Sequence, residues 1–428
     1  MNRKILKIAI PNIISNITVP LLGLVDISMV GHLSSEKYLG AIALGITIFN
    51  FIYISFIFLR MGTSGFTAQA YGEKNFTKSI NWLSRSLLVS VIAGISLIAL
   101  QVPIEYLALT VIDGSTEIET LTSQYFRIRI WAAPATIGMY AISGWLIGMQ
   151  NAKSPMTIAI FINVVNIVAN MFFVYKLNMK SEGVALGTLI AQYSGLLLSI
   201  FILKKYYGKL FKYFRIKAVL QIQELKKFVK VNSNILIRTL CLIGIMTFFT
   251  SISAKMGDDI LAANTLLLQF FMFFSYLIDG FAYAGEALVG KFLGAKDFLK
   301  LKKIIKYLFL WAGAISIIFT LTYLLGFKQI LSLLTDNDNI IDITLKYKWW
   351  IVAIPIFSFA AFIWDGIYIG LSASKEMRDT MILASLVFFI LWFLLKDSFE
   401  NNALWFAMLF FLVGRGIIQT FYFRKILN

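Results

Sequence analysis

The chain comprises 428 residues, of which 59% are hydrophobic and 14% charged, with a mean hydropathy of +0.80. Roughly a quarter of the residues of a soluble domain are charged, so this composition excludes that class and places the chain in lipid. The formal charge of +17 sits in a few connecting segments rather than along one folded face, so no nucleic-acid partner is expected.

Crossing about 30 Å of hydrocarbon takes roughly 20 apolar residues per helix. Twelve such runs are centred near Leu21, Ile57, Ile95, Ile137, Val165, Ala191, Gly244, Tyr276, Gly313, Ala360, Phe388 and Phe410. The runs are continuous rather than alternating with period two, which predicts helices and not a transmembrane barrel. The first, from Ile8 to Val30, follows Arg3, Lys4 and Lys7. It is too long for a signal peptide and lacks a small-residue cleavage site, so it reads as a retained helix.

That first span contains Asp26. A carboxylate in an apolar helix is costly unless paired, hydrated or protonated, which marks Asp26 as a functional residue whose protonation could be coupled to a conformational change. The bland alternative is a wet position near the interface, because His32 and Glu36 follow. Pro11 and Pro20 lie upstream in the same helix; each removes a backbone donor, making a hinge or a static kink. The fifth span places Asn163, Asn166 and Asn170 in an apolar run. Asn166 and Asn170, four apart, share a helix face, and that face should point inward, as interhelical glue or towards an ion.

Between the sixth and seventh spans, Lys204 to Lys230 carries nine Lys or Arg against one acid, Glu224. This basic segment separates a lobe over 1–203 from one over 231–428, with 204–230 as the linker and Ile216 to Lys230 as an amphipathic surface helix. Lys291 to Lys306 holds six Lys against Asp297, and both termini are basic, whereas the segments after spans three and nine carry Asp113, Glu117, Glu119, Asp336 and Asp338. The basic segments all fall on one side, predicting cytoplasmic termini and an even number of spans. Attraction to anionic lipid accounts for the charge.

The second half carries Arg238 in span seven, Asp279 and Glu286 in span eight, and Asp365 in span ten. These read either as internal ion pairs or as an acidic wall that attracts cationic substrates. Tyr140, Phe271, Phe274 and Tyr276 are aromatic candidates for contacting flat cations, while Arg60 and Arg127 read as interfacial anchors. Cys241 is the single cysteine, so neither a disulfide framework nor a thiolate metal site is expected.

The two halves share one register. GEKNF begins at Gly72 and GAKDF at Gly294, 222 residues later, and the same offset pairs Leu39 with Leu261, Tyr125 with Tyr347, Gly144 with Gly366, Gly148 with Gly370 and Lys153 with Lys375. Such self-similarity between hydrophobic halves is a signature of secondary transporters. Six crossings return the chain to its starting side, so the fold class predicted is an all-α polytopic membrane protein of twelve helices in two six-helix lobes related by a parallel internal repeat.

Several motifs resemble multidrug and toxic compound extrusion (MATE) transporters, most of all their DinF-like branch: VPLLGLVDISMVGHL in span one, GTSGFTAQAYGEKNF ending span two and GFAYAGEALVGKFLGAKDF ending span eight. PATIGMYAISGWLIGMQNAKSPM and DGIYIGLSASKEMRDTM resemble that family's matched fourth and tenth helices. The resemblance implies efflux of organic cations or amphiphiles by alternating access, with no organic cofactor, a functional monomer and an inward proton or sodium gradient. It further implies that Asp26, Asn166 and Thr188, with Asn170 at the departing position, hold the coupling cation, that Pro11 and Pro20 are hinges, and that second-lobe positions bind cation or substrate. Together with the residues' own chemistry this makes Tyr140, Asn163, Arg238, Phe271, Phe274, Asp279, Glu286 and Asp365 the substrate-cleft candidates. The family pattern has Asp four residues after the matching Asn, where this chain has Asn170. With one carboxylate missing, a proton is preferred to sodium. The rival reading is a flippase for a lipid-linked oligosaccharide, which should present inward cations, whereas the intramembrane charges noted above are mainly acidic. An enzyme is disfavoured, because His32 is the only His and there is no nucleophile elbow or phosphate-cradling loop.

Overall fold

The computed structural model describes residues 1–31, 36–112 and 115–427 and, among these, the side chains outside 19–31, 36, 111–112 and 425–427. The first half runs α1 (Asn2–Gly31), α2 (Glu36–Ile54), α3 (Phe58–Gly72), α4 (Phe76–Ala99), α5 (Gln101–Ile112), α6 (Thr116–Arg129), α7 (Ala133–Gly148), α8 (Lys153–Met171) and α9 (Ser181–Tyr207). A 3-10 turn (Gly208–Tyr213) and the short α10 (Ile216–Val219) lead into α11 (Ile222–Lys255). Then come α12 (Asp258–Gly294), α13 (Phe298–Leu331), α14 (Asp338–Lys346), α15 (Lys348–Leu371) and α16 (Ser374–Leu427).

Ten helical stretches among the described residues are long and apolar enough to cross a membrane. One of them, Ser374–Arg424, is counted once although Glu400 at φ 47°, ψ −124° divides α16 in two. The 30-residue α1 lies outside those ten. Adding α1 and separating the halves of α16 yields the twelve helices read from the sequence, and the protein is an all-α multi-pass membrane protein.

The repeat is written in the backbone. Among the described residues six non-glycine residues have positive φ, and they form three pairs 222 apart: Lys74 (56°) with Lys296 (54°), Gln150 (65°) with Ser372 (57°), and Asn178 (52°) with Glu400 (47°). At the first two pairs the left-handed residue closes a helix in the same way each time. Asn75 N–H donates to the Ala70 carbonyl and Asp297 N–H to that of Phe292 (both 3.0 Å), as do Asn151 to Leu146 and Ala373 to Tyr368 (both 2.9 Å). These six-residue loops satisfy carbonyls that the helix end would leave unpaired. The next helix is capped alike, with Asn75 Oδ1 accepting from Lys78 N–H (2.9 Å) and Asp297 Oδ1 from Lys300 N–H (3.0 Å). The hydrogen bonds from the Lys300 ammonium and backbone hold the Asp297 carboxyl below the usual carboxylate value.

Helix packing repeats too. A Cβ on Gly144 of α7 would lie 2.2 Å from the Arg60 carbonyl oxygen of α3, and one on Gly366 of α15 would lie 2.1 Å from the Ala282 carbonyl oxygen of α12. Arg60 and Ala282 are themselves 222 apart. Only glycine permits backbone approach this close.

Contacts divide the chain into two compact units, 14–229 and 1–13 with 230–428. Inside the first, Trp145 anchors a core with Ile80, Leu83, Ile142, Leu146 and Ile202, its indole donating to the Ser79 carbonyl at 3.0 Å. Inside the second, Phe270 stacks on Phe327 (4.7 Å between ring centres), and the Tyr323 hydroxyl donates to the Phe270 carbonyl at 2.7 Å. The opening turns of α1 pack there: Ile13 and the Ala9 carbonyl lie against Gly280, and Lys4 lies over the Phe292 ring.

One local expectation is refined and one changes. The second span, expected to centre near Ile57, runs as one stretch over Lys37–Gly72 and tightens between α2 and α3, where Ile57 N–H donates to Ile54 and Leu59 N–H to Phe56 in i−3 bonds. Residues 216–230 were expected as one amphipathic helix. Instead α10 stops after four residues, and Ile222 opens the 34-residue seventh span. The cause is Arg85, whose guanidinium takes the Ala218 and Val219 carbonyls (2.5 and 3.1 Å) and so ends α10.

Candidate functional site

Of the buried polar clusters among the described residues, two hold the charged and amide side chains singled out from the sequence, one in each unit. In the first unit, Asn166 and Asn170 occupy successive turns of α8 and are fully buried, facing Thr188 of α9, which is 5% exposed. Their side chains form a directed chain. Asn170 Nδ2 donates to Asn166 Oδ1 (3.0 Å), Asn166 Nδ2 donates to Thr188 Oγ1 (3.0 Å), and the Thr188 hydroxyl donates to the Val184 carbonyl (2.9 Å). Gly187 makes room, since a Cβ there would meet Asn170 Oδ1 at 2.0 Å. Buried amides need such partners, because each unmade bond away from water is costly.

Asn163, one turn earlier, donates from Nδ2 to the Thr18 carbonyl of α1 at 3.0 Å. This bond ties α8 to α1 two residues before Pro20. The α1 backbone is helical through Pro11, Pro20 and Asp26, while the side chains of Pro20 and Asp26 lie outside the described residues.

In the second unit, Asp365 of α15 is the centre. Its Oδ2 accepts from Arg238 Nη2 of α11 and from Arg415 Nη2 of α16 (2.7 Å), and its Oδ1 accepts from Gln419 Nε2 at 2.8 Å. The side chains of Asp365, Arg238 and Arg415 are 8%, 12% and 2% exposed. The Tyr368 hydroxyl donates to the Gln419 carbonyl (2.6 Å), fixing α16 against α15. Asp279 lies near enough to act electrostatically on Arg415, while both arginines pair directly with Asp365. Charges removed from water persist only when paired and hydrogen-bonded in this way.

Arg238 and Asp365 therefore meet as an ion pair. Glu286 is 1% exposed on α12, its carbonyl against Gly370 of α15. Phe274 is fully buried and packs edge-on against Phe319 and Phe362, while Phe271 is 5% exposed and faces Phe362. Tyr140 and Tyr276 are half-buried. Arg127 is exposed and pairs with Glu105 at 3.1 Å, as an interfacial anchor does. Arg60 is 8% exposed, with α7 closing on its backbone at Gly144, so protein rather than solvent covers it.

Arg415 and Gln419 were missed by sequence reasoning, and with Arg415 counted the acids Asp279, Glu286 and Asp365 of this half stand against two cations rather than one. Their signal was present: FLVGRGIIQTF sets a cation and an amide one turn apart in an apolar span, and an intramembrane charge requires a partner. Among the described residues no group of three His, Cys, Asp or Glu could hold a metal ion.

The MatE family model matches the chain twice, over residues 11–172 and 235–396. DNA damage-inducible protein F of Escherichia coli is 35% identical over 424 residues, covering 98% of this chain and 91% of that protein. A probable multidrug resistance protein NorM of Buchnera aphidicola is 22% identical, covering 89% and 85%. A crystal structure of MATE in a bent conformation superposes with a TM-score of 0.90 at 20% identity, covering 99% of this chain and 95% of that one. With each half matched separately and its nearly full-length likeness to the Escherichia coli protein, the chain belongs to the MatE family.

Proposed function

We propose that this protein is a secondary active efflux transporter of the bacterial inner membrane, exporting organic cations and amphiphiles by alternating access in exchange for protons. The observation carrying this reading is the chemistry of the two clusters taken with the family match. Asn166, Asn170 and Thr188 supply amides and a hydroxyl one turn from an α1 contact, and they bring no carboxylate of their own. Asp26 is then the titrating group of that half. With one carboxylate where the family pattern has two, the site neutralises a bound sodium ion less strongly, while one carboxylate suffices to take up a proton, and proton exchange is therefore the preferred coupling. Substrate and proton favour opposite-facing states, so an inward proton gradient drives export. The basic linker and termini support a cytoplasmic location for both chain ends, and one chain acts as the functional unit. The likeness to a probable multidrug resistance protein supports a broad range of substrates.

The buried arginines bear on the flippase alternative, since Arg238 and Arg415 are the inward cations that an anionic headgroup would require. Both are already engaged by Asp365, which favours the efflux reading. The deciding experiment reconstitutes the full chain in proteoliposomes and follows a panel of cationic dyes under separate proton and sodium gradients. Dye export should follow the pH gradient and vanish in Asp26→Asn. Export that follows sodium alone, or survives unchanged in that variant, overturns the coupling assignment, and flipping of a labelled lipid-linked sugar without dye export overturns the substrate class.

A further inference from the structure

The two halves differ in charge at one surface. In the first half, the face of α4 that carries Arg85 is covered by the 3-10 turn Gly208–Tyr213 and by α10. The residues 222 further on lie on α13, and there Lys302, Lys303, Lys306, Tyr307 and Leu310 line an open groove of about 470 Å³. The first-half counterparts of the three lysines are Ile80, Asn81 and Ser84, and Ile80 is fully buried. The second half thus has three ammonium groups where the first has neutral residues beneath the linker.

These five residues fall at spacings of one, three and four along α13, so they share one face. Asp297, the only acid between Lys291 and Lys306, is engaged by Lys300 at 2.5 Å. Among the described residues no carboxylate pairs with Lys302, Lys303 or Lys306. Above them the helix changes character at once. From Tyr307 to Phe327 it carries no charge until Lys328, a length that crosses the hydrocarbon core. The lysines therefore stand at headgroup level. Tyr307, half-buried, takes the interfacial position that tyrosine favours, and Leu310, 57% exposed, faces the acyl region.

We propose that this groove is a binding site for the phosphate headgroup of an anionic diacyl phospholipid, held by Lys302, Lys303 and Lys306, with the lipid's upper acyl carbons against Tyr307 and Leu310. A soluble anion would satisfy the ammonium groups but not the apolar floor. A zwitterionic lipid would satisfy the floor but brings its own cation to the lysines. An anionic phospholipid matches both.

Each lysine facing anionic headgroups raises lipid affinity by roughly fivefold, so three together amount to about a hundredfold. The test is native mass spectrometry of the full chain released from nanodiscs of mixed phosphatidylglycerol and phosphatidylcholine. Wild type should retain phosphatidylglycerol selectively, a triple Lys302→Gln, Lys303→Gln, Lys306→Gln variant should lose at least nine-tenths of it, and a Lys204→Gln, Lys205→Gln, Lys209→Gln control should keep it. In parallel, a photoactivatable phosphatidylglycerol on wild type should label the peptide around residues 298–311, a readout that needs no variant to fold. Equal retention of both lipids, equal loss in the control, labelling elsewhere, or displacement of the lipid by millimolar inorganic phosphate each overturns the site.

Discussion

Gly366 lies so close to Ala282 that a Cβ on the glycine would stand 2.1 Å from the alanine's carbonyl oxygen. Because the obstacle is backbone of a neighbouring helix, no side-chain rotation relieves it. Gly366→Ala should cost towards the upper end of the about 1–3 kcal/mol typical of overpacking. Gly313→Ala, at a position with nothing within 4 Å of the new carbon, should be neutral or mildly stabilising, since alanine is the better helix former. Melting followed by size-exclusion of detergent-solubilised protein separates the two. Equal midpoints would show that α12 and α15 separate readily at this contact.

The Asp365 cluster makes a second, asymmetric prediction. Asp365→Asn leaves two buried arginines facing a neutral amide, and breaking a buried pair from that side costs about 3–5 kcal/mol. Gln419→Leu removes only a neutral donor and should cost about 1 kcal/mol. Arg238→Gln should fall between them, because Arg415 still holds the carboxylate. Adding Arg238→Gln to Asp365→Asn should recover part of the lost midpoint, since it removes one uncompensated charge. Strictly additive losses in that double variant would show that the two side chains do not interact.

The architecture was legible in the sequence because its causes are local and repeated: apolar run length sets each helix, and turn residues recur 222 apart. The Arg238–Asp365 pair was also within reach, since lipid forces buried charges to meet. Arg415 and Gln419 were harder, because a cation and an amide in the last span do not say which helix they face, and only packing shows that α16 turns them towards α15. The surface helix at 216–230 failed for the same reason. Its periodicity is genuine, but its ending is imposed from outside by Arg85, and propensity carries no record of a distant guanidinium.

In the first unit, Thr188→Val keeps the shape of the side chain but removes the acceptor used by Asn166 Nδ2. The stranded buried donor should cost about 1–3 kcal/mol, readable as a lower melting midpoint. Asn170→Asp instead adds a carboxylate beside Asn166. Under the proton-coupled reading, dye export by this variant should gain a dependence on sodium that wild type lacks. Export measured at fixed pH with and without a sodium gradient tests this, and an unchanged sodium response would remove residue 170 from the coupling site.

Arg85 supports the last prediction. It is 2% exposed, binds two linker carbonyls, lies 3.8 Å from Glu224 and stacks 4.7 Å over Trp82. Phe228 completes the contact, its ring 6.0 Å from that of Trp82 and 6.1 Å from that of Phe66. A planar guanidinium can serve both carbonyls and the ring together, whereas an ammonium in its place cannot match that geometry. Each hydrogen bond from a charged donor is worth about 1.5–3 kcal/mol. Loss of even one should therefore raise the open population of the linker tenfold or more. Trypsin reads this directly, because Lys209, Lys212, Arg215 and Lys217 lie in the clamped segment. Arg85→Ala should be cut there at least ten times faster than wild type, and Arg85→Lys at an intermediate rate, while cleavage at the chain termini stays constant. Equal linker cleavage in all three would mean that Phe228 and the helix start at Ile222 hold the segment without the arginine.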